Sequence, residues 1–133
     1  VRGINWLPSQ GLQEESITYF LVDAMSLDFM TDTFTARYDL GFEFQPVCFV
    51  PRRESPAAAE ALFEEYKGYL EDYGMSTEDM SQGDIKIMIG DLGGEYFDGG
   101  FLVRNTVGGI SAVKGEANAK QALMAFAELF ANQ

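Results

Sequence analysis

The sequence predicts an α+β domain in which a mostly antiparallel sheet carries two helices on one face. Three observations lead there. Apolar residues alternate at Phe34, Ala36 and Tyr38 and again at Ile85, Ile87 and Ile89, the two-residue period of half-buried strands. Two later stretches carry apolar stripes at helical spacing, one opening at Ser55-Pro56 and one over Glu116 to Ala131. Finally, Tyr38-Asp39-Leu40-Gly41-Phe42 and Phe97-Asp98-Gly99-Gly100-Phe101 share an aromatic-Asp-x-Gly-Phe pattern, each followed by a strand and an alanine-rich helix. That recurrence predicts two β-β-α units, over about 34–74 and 94–131, and two amphipathic helices that share one core belong on one face. A ferredoxin-like arrangement is the nearest alternative.

The 133 residues fit one domain, 1–133, and the 47% hydrophobic and 14% aromatic content supplies a core without metal or disulfide staples. A formal charge of −12 with only nine Lys and Arg excludes nucleic acid and anionic membranes as expected partners. On its own the charge reads as a solubility feature with no specific cationic partner. The single cysteine, Cys48, rules out an intrachain disulfide and reads as a small buried hydrophobe in Val47-Cys48-Phe49-Val50. No apolar run approaches the roughly 20 residues of a membrane span. Val1 begins without a charged n-region, so any signal or lipid anchor would lie outside this sequence.

Along the chain, Val1 to Ser16 is an irregular lead-in with Pro8 and Gly11, and Ile17 to Val22 is a β-branched and aromatic strand. Asp23 to Asp32 reads as a helical turn or short helix. Phe34 to Asp39 forms a strand, Asp39-Leu40-Gly41 turns, and Phe42, Phe44 and Val47 to Val50 return, with Pro46 marking a bulge or edge. Ser55 caps and Pro56 opens the first helix, whose face holds Ala58, Leu62, Tyr66, Tyr69, Leu70 and Tyr73, and Gly74 stops it. Met75 to Gly83 is a polar connector and Ile85 to Ile89 a strand. The glycine-rich stretch 90–100 reads as loop, short strand and turn, with strands at Phe101 to Asn105 and Val107 to Val113. Ala119, Ala122, Leu123, Phe126 and Phe130 face inward from the closing helix.

There is no histidine, which removes Ser-His-Asp, Cys-His and histidine-metal chemistry, and neither a phosphate loop nor a dinucleotide fingerprint occurs. Carboxylates, Lys and Tyr remain. Their densest combination is Asp91, Glu95, Tyr96 and Asp98 in the second glycine-rich turn, the candidate binding site; as a hard-cation site it lacks the twelve-residue loop pattern of calcium sites, and solvated turn acids are the better reading of its carboxylates. Gly108-Gly109 and Gly115 beside Lys114 would make an anion site before the last helix, against a local role in which Glu116 occupies the helix field itself. Tyr66, Tyr69 and Tyr73 read either as a stacking platform or, better, as core packing. No catalytic residue, metal ligand or cofactor is assigned.

Leu7-Pro8, Ser16-Ile17-Thr18-Tyr19, Leu27-Asp28-Phe29, Ala36-Arg37-Tyr38, Glu54-Ser55 with Ala59-Glu60-Ala61, and Tyr96-Phe97 with Gly99-Gly100-Phe101-Leu102 together resemble a bacterial family, domain of unknown function 6599, over most of the chain. The resemblance implies a secreted or periplasmic bacterial setting and supplies no catalytic residues. The leading expectation is a non-enzymatic binding or interaction domain of an exported protein, its partner a small molecule or a protein. The alternative is a carboxylate-dependent hydrolase with two acids near the glycine-rich turn.

Overall fold

Val47-Cys48-Phe49-Val50, Ile87-Met88-Ile89 and Phe101-Leu102-Val103 are apolar at every position, so strands built from them present apolar side chains on both faces and must be covered on both. The computed structural model, which describes residues 6–74 and 76–133, realises this as a seven-stranded sheet between two helices. The elements are β1 (Thr18–Phe20), β2 (Thr33–Arg37), β3 (Val47–Pro51), α1 (Pro56–Tyr73), β4 (Ser76–Asp79), β5 (Lys86–Asp91), β6 (Tyr96–Val103), β7 (Thr106–Lys114) and α2 (Glu116–Ala131). Spatial order is β1-β2-β3-β7-β6-β5-β4, with every neighbouring pair antiparallel.

The α+β class, the antiparallel sheet and the two helices stand as expected; their placement on one face does not. One core unites Phe34, Cys48, Val50, Ile87, Phe101 and Ile110 with Leu123, Phe126 and Phe130 of α2. The other unites the intervening residues Phe49, Met88 and Leu102 with Leu62, Tyr66 and Leu70 of α1. Because successive strand residues point to opposite faces, α1 and α2 cover opposite sides of the sheet.

The repeat is not supported either. The order strand-strand-helix recurs as β2-β3-α1 and β6-β7-α2, but the two motifs that suggest duplication are not equivalent. Gly41 lies in the loop after β2 with φ 90°, whereas Gly100 sits inside β6, register partner of both Met88 and Gly109. A Cβ on Gly99 would stand 2.5 Å from the Leu123 side chain, and one on Gly100 2.8 Å from the Tyr66 ring. These glycines let helices approach the two faces of one strand.

Smaller differences follow from local chemistry. β1 is shorter than expected, and Asp23 to Asp32 holds only a single 3-10 turn at Ala24–Ser26, with positive φ at Asp23, Met25 and Ser26. The Phe42 and Phe44 rings stack at 5.5 Å in a loop rather than a strand. Ser55 caps α1 as expected, its Oγ accepting from the Ala58 N–H at 3.1 Å, whereas Gly74 ends it in an extended conformation. Ala59 takes the inward position expected of Ala58, and Tyr73 is 74% exposed. Within the polar connector, Ser76–Asp79 pairs with the edge of β5, while Met75, like Val1 to Asn5 of the lead-in, lies outside the described residues. Tyr96–Val103 is one continuous strand where a turn was expected, and the reversal falls instead at Arg104, whose φ is 54°. The Arg104 guanidinium donates to the Phe130 and Ala131 carbonyls, placing a cation at the C-terminal end of α2.

Candidate functional site

The four residues singled out from the sequence do not converge. Asp91 ends β5, where its carboxylate accepts from the Gly93 N–H at 2.8 Å and starts a turn through Gly93, Gly94 and Glu95, all at positive φ. Glu95 is exposed, and its carbonyl accepts from the Gly115 N–H at 2.8 Å. Asp91 is the register partner of Phe97 and shares the α2 side of the sheet with it, whereas Asp98 pairs with Gly90 and points to the α1 side. Two carboxylates on opposite faces cannot share a substrate or a cation. Among the described residues no group of three or more His, Cys, Asp or Glu is placed to hold a metal ion.

Asp98 is instead a buried support. Between Phe97↔Val113 and Gly99↔Ile110 strand β7 has one more residue than β6, and this bulge holds Ala112 at φ 52°. The Asp98 carboxylate accepts the Ala112 N–H at 2.6 Å, satisfying a donor that the ladder has lost. Burial pushes the Asp98 carboxyl above its ordinary pKa, with the Ala112 hydrogen bond opposing the shift. On the same side lies Tyr66 of α1, fully buried, its hydroxyl without a hydrogen-bond partner among the described residues. Burial first and the Asp98 charge second push that phenol well above the usual tyrosine range. Tyr66 and Tyr69 are thus packing residues, stacked at 6.3 Å, rather than a stacking platform.

Beside the bulge the surface forms a hollow of about 270 Å³ lined by Pro46, Val47, Tyr96, Ser111, Lys114 and Asn118 among others. Tyr96 and Lys114 are register partners across β6 and β7, and both the half-exposed Tyr96 and Lys114 line the one opening. Val47 adds an exposed apolar side chain, and the Asn118 amide donates to the Lys114 carbonyl at 3.2 Å. An apolar wall with a few convergent polar groups is the usual make-up of a small-ligand site. Tyr96 is legible in the sequence and Lys114 stands out there for its glycine neighbours, but Val47, Ser111 and Asn118 are joined to them only by the tertiary fold. Of the two readings of those glycines, the local role fits where they lie. Gly108 and Gly109 are packing positions inside β7, against the rings of Phe101 and Phe49, and Glu116 bonds Lys120 at 2.8 Å.

A second constellation has no counterpart among the sequence expectations. Asp32 accepts the Tyr19 hydroxyl at 2.6 Å and a two-pronged contact from Arg52, through Nε at 3.1 Å and Nη2 at 2.8 Å. Desolvation alone would raise the Asp32 pKa, but the hydrogen bonds from Arg52 and Tyr19 and the neighbouring guanidinium charges outweigh it and hold the carboxyl below its usual range. The Arg52 guanidinium also lies 5.9 Å above the Phe34 ring centre. These groups come from β1, β2 and the loops beside β2 and β3, and no spacing in the sequence joins them.

Comparison of the chain with protein-family models, curated proteins and solved structures found no match. Among the described residues no helix is long and apolar enough to cross a membrane.

Proposed function

We propose that this chain is a non-enzymatic binding domain whose hollow between Val47, Tyr96 and Lys114 takes a small, ring-bearing anion. The observation that carries the reading is the Asp98-anchored bulge. A non-glycine residue held in the left-handed region costs free energy, and the strand that carries this strain also carries Ser111 and Lys114 to the opening. Tyr96 and Val47 offer apolar surface to a ring, and the Lys114 ammonium offers charge to a carboxylate. The hydrolase alternative is disfavoured, since Asp91 and Asp98 face away from each other and Asp98 is already engaged. An exported bacterial setting belongs to the proposal and rests on the resemblance to domain of unknown function 6599 alone.

Benzoate is the probe. Titrated into the labelled protein, it should shift the amide resonances of Val47, Tyr96, Ser111 and Lys114 saturably, and Lys114→Gln or Tyr96→Ala should weaken binding roughly fivefold or more, equivalent to about 1 kcal/mol. Shifts that are absent, or that persist unchanged in both variants, would overturn the assignment of the hollow.

A further inference from the structure

Among the described residues the outer edge of β1 is an open strand edge of a kind the opposite side of the sheet avoids. The Asp32 N–H donates to the Leu21 carbonyl at 2.9 Å, and the register pairs Tyr19 with Phe34. In an antiparallel ladder the bonded pairs alternate, so Tyr19 and Leu21 bond inward to β2 while Thr18 and Phe20 turn their N–H and C=O outward. Among the described residues no strand of the sheet lies beyond them. Tyr19, Leu21 and Val22 are 43%, 69% and 56% exposed, three of the six exposed large apolar side chains among the described residues. At the other outer strand, β4 presents Ser76-Thr77-Glu78-Asp79, and Lys120 bonds Glu78 at 2.9 Å. Charge protects that edge from pairing, whereas Thr18 to Val22 holds no charged residue.

The surroundings specify the occupant. From Trp6 to Ala36 there are five acids, Glu14, Glu15, Asp23, Asp28 and Asp32, and no Lys or Arg. Asp32 is engaged by Arg52, and Glu15 approaches Arg37 at 3.7 Å. Glu14, just before β1, and Asp23 and Asp28, just after it, have no ion-pair partner among the described residues. A second copy of this chain would bring the same acids against one another, each copy carrying a formal charge of −12. Tyr19 is fixed in advance by its bond to Asp32 and by the Phe34 ring 5.0 Å away, so little ordering remains when a strand arrives.

We propose that the outer edge of β1 accepts an extended segment of a partner protein as an added strand, and that this segment alternates apolar with basic side chains. Outward amides and carbonyls of Thr18 and Phe20 supply the main-chain bonds, Leu21 and Val22 the apolar contact, and Glu14, Asp23 and Asp28 the charge selection. This surface is separate from the hollow at Tyr96.

The test uses a synthetic peptide of alternating lysine and valine with blocked ends, and the same peptide with glutamate in place of lysine. The lysine peptide should shift the amides of Thr18 to Val22, slow hydrogen exchange at Thr18 and Phe20, and bind more weakly as salt is added. Leu21→Ser, at an exposed position, should weaken it roughly tenfold. Thr18→Pro, which removes an outward N–H and leaves the β1–β2 ladder intact, should do the same. Equal binding of the glutamate peptide, or undiminished binding in both variants, would overturn the proposal. So would concentration-dependent shifts at β1 without peptide, since they would assign the edge to a second copy of the chain.

Discussion

The Asp98 carboxylate and the Ala112 backbone N–H are 2.6 Å apart, and that one contact joins the buried side of β6 to the bulge that shapes the surface of β7. Burial raises the Asp98 pKa in the folded chain. For an acid whose folded pKa lies above its unfolded value, the native state holds the proton more tightly. Its contribution to stability is therefore greatest below the unfolded carboxylate range and falls as pH rises through the folded pKa. Asp98→Asn keeps an oxygen acceptor for Ala112 without the buried charge. Its urea midpoint should exceed the wild-type value at neutral pH, with the gain shrinking as the medium is made acidic. Asp98→Ala should be less stable than Asp98→Asn by about 1–3 kcal/mol, because the Ala112 N–H loses its acceptor. A constant difference between wild type and Asp98→Asn across pH would contradict the raised pKa.

Gly41 and Gly100 separate two uses of glycine. Among the described residues nothing lies within 4 Å of a Cβ placed on Gly41, but its φ of 90° leaves backbone strain of about 1–2 kcal/mol for Gly41→Ala. Gly100→Ala would press a methyl group against the Tyr66 ring at 2.8 Å, with overpacking of about 1–3 kcal/mol. Only Gly100→Ala should alter the near-ultraviolet circular dichroism of the buried tyrosine. An unchanged spectrum and midpoint in that variant would contradict the close approach of α1 to β6.

Tyr66→Phe removes a buried hydroxyl that has no partner among the described residues and keeps the ring against Phe49, 5.5 Å away. An unsatisfied polar group counts against the folded state, so the variant should gain about 1 kcal/mol in denaturant unfolding. A loss of stability of that size would mean that the hydroxyl makes a bond in solution.

Cys48 is 1% exposed on β3, and burial pushes its thiol well above the ordinary cysteine pKa. A thiol reagent should label the native protein slowly and the urea-unfolded protein fast, since both access and thiolate are suppressed by the fold. Rapid native labelling would show that β3 opens locally under native conditions.

Much of the architecture is visible before folding. Ser55-Pro56 sets the start of α1 because its capping hydroxyl and fixed φ are local properties. Ala119, Ala122, Leu123, Phe126 and Phe130 mark the stripe of α2, and all five are buried. The alternation of Ile85, Ile87 and Ile89 marks β5 as a strand but suggests one covered face. The apolar Met88 between the last two is the sign of the second, since it packs on the α1 side while Ile87 and Ile89 pack on the α2 side.

By itself the sequence determined the helices, the strand-forming runs and the absence of histidine chemistry, because propensity, capping and residue type act over a few neighbours. Tertiary structure decided the rest. Glycine at Gly99 and Gly100 looks the same whether the chain turns or another element approaches closely, and only the packing of Leu123 and Tyr66 on either side settles which. β4 is polar throughout, so its strand exists because β5 offers it an edge of unpaired backbone groups. Tyr96 meets Lys114, and Tyr19 meets Asp32 and Arg52, through pairings between segments distant in the chain. Such meetings are fixed by strand order and register, which depend on how all seven strands bury their two faces together rather than on any local run of residues.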